Sequence, residues 1–238
     1  MSNRLAVVIP CLDEAVNLPR LLGRLQEEGV DLVVVVDGGS EDDSCEIATA
    51  AGADLCHAER GRGLQLQIGA ARAIELGAGR LWFLHADNLP APGAVQAITE
   101  AFAKSPTAAA FGCSQRVDAE GKFFRLVEAK ADQRVARGLV YGDSGLCISV
   151  PNYLASGGFR PLSLFEDLDF SKRISRLGSI LLVPKAKVFV NPRRWKGEGA
   201  LLTTVRNWIL TCAWRLGVSP ERLVRFYPSH KSTKSSPY

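Results

Sequence analysis

The sequence predicts an α/β protein with a mostly parallel central sheet and flanking helices. A strand–loop–helix unit occurs twice in succession within the first 52 residues. The apolar run at residues 32–36 is continuous rather than alternating, which is typical of strands covered on both faces. Polar residues follow the strands predicted at 32–36 and 81–84, at the strand ends where open α/β sheets bind ligands.

Hydrophobic periodicity predicts the elements of the first half of the chain in order. Ser40 is expected to cap the second helix, and Gly29 and Gly52 to end the first two helices. Pro90 and Pro92 are expected to stop any sheet ladder after the fourth strand. The predicted strands are 5–9, 32–36, 54–56 and 81–84, and the helices are 17–28, one ending near residue 51, 63–76 and 93–102.

The second half continues the pattern and ends in a long helix. The predicted strands are 108–114, one that follows the turn at 141–145, 180–183 and 188–190, and the helices are 122 to about 139, 165–178 and 201–216. We expect one domain over residues 1–198, a helical extension packed on it over 199–228, and a disordered tail over 229–238.

Charge is distributed unevenly along the 238 residues. Residues 185–238 carry eleven Lys and Arg against two acids, whereas the preceding 184 residues carry 18 against 23. A basic end favours a phosphate-bearing substrate or an anionic membrane surface. No recognised nucleic-acid motif accompanies this charge, so nucleic acid is not expected as a partner.

Cysteine usage and hydropathy predict a cytoplasmic protein. The six cysteines include no CxxC pair, which is typical of reduced thiols. The apolar run at the start is too short for a signal peptide or a membrane span. The helix at 201–216 contains Arg206 and Arg215 and favours a core or homodimer contact. Its basic flanks leave open a peripheral contact with the inner membrane.

A metal site is predicted at His85-Ala-Asp87, directly after the strand at 81–84. His85 and Asp87 are two residues apart, so in an extended chain both side chains point to the same side. Such a pair could bind a metal that bridges a diphosphate. The alternative is a polar strand end with Asp87 as a turn or cap residue.

Two further loops have the composition of a nucleotide site. Asp37 could accept hydrogen bonds from a base or ribose, while Gly38 and Gly39 let the backbone approach a ligand closely. Arg62, in a glycine-rich loop, supplies a cation for a phosphate. The alternative for Asp37 is a residue that starts a turn.

Carboxylates at two later positions are candidate bases. Glu166 and Asp167 lie at the predicted start of a helix, next to the loop that contains Gly158 and Phe159. Asp143 lies in the turn at 141–145 and is the second candidate. The alternative for the pair at 166–167 is stabilisation of the positive helix N-terminus.

In their order and spacing these pieces resemble the family-2 glycosyltransferases of the GT-A fold, over roughly residues 4 to 195. The motifs are Val8-Ile-Pro-Cys-Leu-Asp-Glu14, Val36-Asp-Gly-Gly-Ser-Glu-Asp42, His85-Ala-Asp87 at the DxD position, and Gly158-Phe159 followed by Glu166-Asp167. The chain is most similar to a small bacterial subgroup associated with radical-SAM and selenodomain genes. That subgroup combines a His-Ala-Asp motif, a Tyr-Gly-Asp-x-Gly turn and an Arg-Arg-Trp segment.

The resemblance implies an inverting transferase that uses a nucleotide-diphosphate sugar, a divalent metal (Mn²⁺ or Mg²⁺) and a hydroxyl-bearing acceptor. Asp87, with His85, would bind the metal, and Asp167 would be the base. The departure from the family is His85, which replaces the first Asp of the DxD motif. The nucleotide-sugar contacts implied are Pro10, Cys11, Asp13, Glu14, Asp37, Gly38, Gly39, Arg62, Asp87, Arg193 and Arg194.

One other function remains as an alternative, and two more are disfavoured by the sequence. His85 would also suit a nucleotide-sugar-binding or regulatory protein that has lost the chemistry, although the retained acids argue against it. A nucleotidyltransferase would have an N-terminal Gly-rich loop with Arg and Lys, which residues 10–14 lack. A dehydrogenase would carry the dinucleotide glycine fingerprint after the first strand, which residues 10–17 lack.

Overall fold

The computed structural model describes residues 3–191 and 200–226, and over these residues the chain forms one eight-stranded sheet between helices. The strands are β1 (Leu5–Cys11), β2 (Leu32–Asp37), β3 (Asp54–His57), β4 (Arg80–Phe83), β5 (Asn88–Pro90), β6 (Ala110–Val117), β7 (Leu146–Ser149) and β8 (Ile180–Val190). The helices are α1 (Leu18–Glu27), α2 (Ser44–Ala50), α3 (Arg62–Glu75), α4 (Ala94–Lys104), α5 (Lys122–Ala136), α6 (Val150–Ala155), α7 (Glu166–Ile174), α8 (Ala200–Arg215) and α9 (Pro220–Leu223), with short 3₁₀ turns at Gly142–Ser144 and Val224–Phe226.

The strand order is β3-β2-β1-β4-β7-β6-β8-β5. Strands β3, β2, β1 and β4 are all parallel, and β6 is parallel to β8. Only β7 and β5 run in the opposite direction within the described sheet. The prediction of a mostly parallel sheet is therefore confirmed.

Side chains from both faces of the sheet are buried, as the continuous apolar strands predict. In β4 and the residue after it, Leu81 and Phe83 pack on one face, while Trp82 and Leu84 pack on the other. This alternation follows from the two-residue period of a strand. The polar side chains predicted to bind ligands therefore lie at the ends of the strands or in the loops that follow them.

Three local predictions were wrong. Asn88–Pro90 forms a strand, β5, although prolines were expected to end the ladder. Among the described strands β5 is the last of the sheet and pairs only with β8, and an edge strand can accommodate Pro. The two strands predicted at 180–190 are one strand, β8, opposite a register shift between Cys113 and Ser114. Ser40 does not cap α2, which begins at Ser44 after Asp43.

Helix α8 packs on the sheet domain through one face. Leu210 is buried, and Trp214 lies 5.5 Å from the ring of Phe165 and 3.9 Å from the ammonium of Lys172. The opposite face exposes Val205, Trp208, Ile209 and, just beyond the helix, Leu216. No described helix is long and apolar enough to cross a membrane.

Candidate active site

The parallel strands β1, β2 and β4 bring the predicted motifs that follow them together at the carboxyl ends of the strands. Cys11 is the register partner of Asp37, at the ends of β1 and β2. β4 lies on the other side of β1, and the N–H of Leu84 donates to Val8 O at 3.1 Å. His85 and Asp87 therefore follow β4 at the same end of the strands as Asp37.

Gln65 joins two of these strand ends, and the sequence analysis missed it. Its buried Nε2 donates to the carbonyl oxygens of Cys11 and Val36, at 2.8 Å each. A Cβ on Gly38 would lie 2.9 Å from the same nitrogen, so glycine fits this position. The available signal was a glutamine on the sheet-facing side of α3, close to the glycine-rich loop.

The carboxylate of Asp37 organises the loop that follows β2. It accepts hydrogen bonds from the N–H of Gly39 at 2.9 Å and from the N–H and hydroxyl of Ser40. Burial opposes ionisation of Asp37, but these bonds outweigh burial and hold the pKa of the carboxyl below its usual value. An anionic Asp37 therefore shapes the loop in which a nucleoside would lie.

The loop after β1 is locked to the loop after β2. Asp13 has φ of 52°, a left-handed conformation that Asn and Asp adopt more readily than other side chains. Its N–H donates to Ser40 Oγ and its Oδ1 accepts from Glu41 N–H, both at 2.9 Å. The N–H of Glu14 donates to Ser44 Oγ at 2.9 Å. The two predicted nucleoside loops thus form one preorganised unit.

Pro10 and Cys11 belong to strand β1 itself. Cys11 is 1% exposed, and burial raises the pKa of its thiol to about 11. The Cys11 side chain therefore belongs to the core, and its carbonyl oxygen is the group that contacts Gln65 and Gly38 N–H.

The candidate catalytic residues and metal ligands meet in a cavity of about 180 Å³. The cavity also receives side chains from α8, which the sequence analysis did not assign to the site. Its polar lining includes Arg62, His85, Asp87, Asn88, Asp143, Glu166, Asp167, Asn207 and Thr211. The nucleoside loops at residues 10–14 and 37–40 lie outside this lining.

Asp167 has the environment of a general base. Its Oδ2 accepts the N–H of Gly142 at 2.8 Å, and its Oδ1 accepts the N–H of Leu168 at 2.7 Å. Burial and then the charge of Glu166 raise the pKa of Asp167 to about 7, against the opposing effects of the Gly142 N–H and Arg62. A base with this pKa is ionised often enough near neutral pH to accept a proton and is basic enough to hold it.

Glu166 has a different environment: it is 3% exposed and pairs with Arg62 at 3.2 Å. It is preceded by Phe165, whose φ of 64° is rare for a bulky residue. The Phe165 ring packs on Trp214, so α8 supports this backbone. The arrangement fits Glu166 as the residue that positions Arg62 in the cavity.

Asp143 is also paired with a cation. Its carboxylate lies 3.8 Å from Nη2 of Arg134, whose guanidinium stacks on Tyr141 at 3.8 Å. Its carbonyl oxygen accepts from Nδ2 of Asn88 at 3.4 Å. These contacts fix the turn that forms the cavity wall, and they make Asp143 the weaker candidate base.

His85 and Asp87 both line the cavity, and their donor set fits a divalent metal. Carboxylate oxygen with imidazole nitrogen suits Mn²⁺ and related ions better than Mg²⁺, which prefers oxygen. Another group of ligand atoms within 4.8 Å of one another, at Asp37, Cys45 and His57, lies at the nucleoside loops. The oxygens of Asp37 there already accept N–H and O–H groups. Arg193 and Arg194 lie outside the described residues.

Comparison with known proteins shows the family of the chain and its fold. The sequence model of the family described as "Glycosyl transferase family 2" matches residues 6–155. The chain belongs to this family. No curated protein sequence matches the chain.

Three solved structures with a similar fold share 16–20% identity with the chain. Mannosyltransferase PcManGT from Pyrobaculum calidifontis, in complex with GDP-Man and Mn²⁺, has a TM-score of 0.68 and 20% identity; 92% of this chain and 66% of that one are covered. Glucosyl-3-phosphoglycerate synthase from Mycobacterium tuberculosis, with Mn²⁺, UDP and phosphoglyceric acid, has a TM-score of 0.63 and 20% identity, over 90% and 78% of the two chains. TarS from S. aureus, with UDP, has a TM-score of 0.64 and 16% identity, over 81% and 62%. The predicted GT-A fold is confirmed.

Proposed function

We propose that the protein is an inverting glycosyltransferase that transfers a sugar from a nucleotide-diphosphate sugar to an acceptor hydroxyl. The observation that carries this proposal is Asp167, a carboxyl of pKa about 7 in the same cavity as His85 and Asp87. Membership of the glycosyl transferase family supports it. Binding of GDP-Man or UDP with Mn²⁺ by proteins of the same fold supports the choice of donor.

In this mechanism Asp167 accepts the proton of the acceptor hydroxyl as the oxygen attacks the anomeric carbon. The bond from that carbon to the diphosphate oxygen breaks, and the configuration inverts. A divalent cation at Asp87 and His85, when bound, stabilises the negative charge on the leaving diphosphate. Arg62, positioned by Glu166, lies in the same cavity and adds positive charge there.

The test is donor binding followed by turnover. We expect UDP or GDP with Mn²⁺ to raise the melting temperature, since a ligand that binds only the native state stabilises it. We also expect the wild type to release nucleoside diphosphate from UDP-glucose or GDP-mannose, and Asp87→Ala to lose Mn²⁺-dependent release. Nucleotide binding with no release would instead favour a binding or regulatory protein.

The finer assignments belong to this proposal. Membership of the radical-SAM-associated subgroup rests on the His85-Ala-Asp87 and Tyr141-to-Gly145 motifs. A homodimer or a peripheral membrane contact would use the exposed stripe of α8 that contains Val205, Trp208 and Ile209. Light scattering and flotation with anionic vesicles distinguish these two contacts.

A further inference from the structure

Two buried amide oxygens of the cavity have no hydrogen-bond partner among the described residues. Asn88 is 1% exposed; its Nδ2 donates to Asp143 O, while its Oδ1 is unpartnered. The Oδ1 of Asn207, on α8, is buried and unpartnered in the same way. A buried acceptor without a donor costs free energy comparable to a lost hydrogen bond. A ligand in the cavity that donates hydrogen bonds would offset this cost.

The charged groups of the cavity indicate the same kind of ligand. Four carboxylates line it, at Asp87, Asp143, Glu166 and Asp167. Against them, Arg62 is the single Lys or Arg among the described lining residues, and it is paired with Glu166 at 3.2 Å. Asp143 lies 3.8 Å from Arg134, which is outside the lining, so the described lining itself holds more acids than bases.

Helix α8 places Asn207 and Thr211 in the lining of the same cavity as Asp167, the candidate base. Asn207 and Thr211 are neighbours on one face of the helix, and the Thr211 hydroxyl donates to the Asn207 carbonyl at 2.8 Å. The Thr211 oxygen keeps a lone pair that can accept another hydrogen bond. Because its donor is already engaged, the hydroxyl of Thr211, a lining residue, can act only as an acceptor towards a ligand.

We infer that the acceptor is a neutral, hydroxyl-rich molecule, and that Asn207 helps to select it. This rests on the proposed function, since it names the acceptor of the same site. Hydroxyl groups can donate to Asn88, Asn207 and Asp143 while one hydroxyl donates to Asp167. A phosphate or carboxylate on the acceptor would meet like charges and acceptor atoms, which is the repulsion that excludes a wrong partner.

The test uses acceptor pairs that differ only in charge: glycerol against glycerol 3-phosphate, and methyl α-D-glucopyranoside against its 6-phosphate. With the donor that binds best, nucleoside diphosphate release is measured as a function of acceptor concentration. We expect the neutral member of each pair to stimulate release with a kcat/KM at least about 10-fold higher, as like-charge exclusion predicts. Preference for the phosphorylated member, or no stimulation by any of the four, overturns the inference.

Variants of Asn207 test whether this residue selects the acceptor. Asn207→Lys should shift the preference towards glycerol 3-phosphate, and Asn207→Leu should raise the KM for the neutral acceptor about 10-fold while nucleotide affinity is unchanged. Ile209→Ser, on the exposed face of the same helix, is the matched control and should change neither. If Asn207→Lys leaves the preference unchanged, Asn207 does not select the acceptor. Donor binding, measured separately by calorimetry, reports on the proposed function, so the two failures are distinguishable.

Discussion

The imidazole of His85 lies against the backbone of Gly142, so closely that a Cβ built on Gly142 would be 2.2 Å from Nε2 of His85. The N–H of the same glycine donates to Asp167 at 2.8 Å. Gly142 therefore lies between His85, the candidate metal ligand, and Asp167, the candidate base. Because glycine has no side chain, both residues can approach its backbone closely.

Gly142→Ala should displace His85 and weaken turnover by about 10²-fold, as small misplacements of catalytic groups do. Overpacking should also lower the free energy of unfolding by about 1–3 kcal/mol. Turnover assays and chemical denaturation measure the two effects. Gly23→Ala in α1 is the control, since a Cβ there meets nothing within 4 Å. Wild-type turnover in Gly142→Ala would show that the position of His85 does not matter.

Asp37→Ala should weaken nucleotide binding by about 1–3 kcal/mol, the cost of leaving hydrogen-bonding groups unpaired. The variant removes the acceptor that holds Gly39 and Ser40, so the loop loses its preorganised shape. Calorimetry with UDP or GDP measures the change. Asp43→Ala is a suitable control, because Asp43 makes no side-chain cap to α2. Unchanged nucleotide affinity would remove Asp37 from the site.

Activity should be higher with Mn²⁺ than with Mg²⁺, because imidazole is a poor ligand for Mg²⁺. His85→Asp replaces the nitrogen with oxygen and should narrow the difference between the two ions. Metal titrations of turnover in both proteins provide the measurement. Equal activity of the wild type with both ions would contradict the assignment of His85 as a ligand.

Asp167→Asn should reduce turnover by about 10²-fold or more and leave nucleotide-sugar affinity within a few fold, because the amide keeps the shape but cannot accept the proton. In the wild type, kcat/KM should rise with pH towards a plateau above pH 7, as a base of pKa about 7 ionises. Steady-state kinetics from pH 5 to pH 9 test both. Asp169→Asn is the control, since Asp169 pairs with Arg160 and Arg173 instead. Intact turnover in Asp167→Asn would make Asp143 the leading base.

The raised pKa of Asp167 also makes the free energy of unfolding depend on pH. The pKa of Asp167 is raised in the folded protein from 3.8 to about 7, so the folded state keeps a proton that the unfolded chain loses. The contribution of Asp167 to the free energy of unfolding therefore falls as pH rises from about 4 to about 7. The asparagine variant has no carboxyl to titrate, so it should not lose this stability. The denaturant midpoint of Asp167→Asn, relative to that of the wild type, should therefore be higher at pH 8 than at pH 4. An identical pH dependence in the two proteins would contradict a raised pKa.

The sequence was sufficient for the parallel core and the strand-end motifs because both depend on local patterns. Continuous apolar runs such as 32–36 predict covered strands, and parallel strands bring residues that follow them to one edge. Asp37, His85 and Asp87 are predicted as site residues in this way. Asp167 was placed through the family resemblance, and its raised pKa required the three-dimensional environment.

What the sequence did not predict depends on contacts between distant segments. Gln65 meets the carbonyl of Cys11, 54 residues away, so its role could not be inferred from spacing within α3. Asn207 enters the cavity only because α8 packs beside α7. Strand β5 was missed because three residues that contain a proline give no periodic signal, and the edge position that tolerates Pro90 is a property of the whole sheet.

Trp214 contacts Phe165, which lines the cavity, so the fluorescence of Trp214 can report on changes beside the candidate site. Trp82 has no exposed surface and Trp208 is 68% exposed, so the first should resist quenching by acrylamide and the second should be quenched readily. Trp214 stacks on the residue that precedes Glu166, 5.5 Å from its ring. A ligand that shifts this segment will change the emission of Trp214 without any added dye.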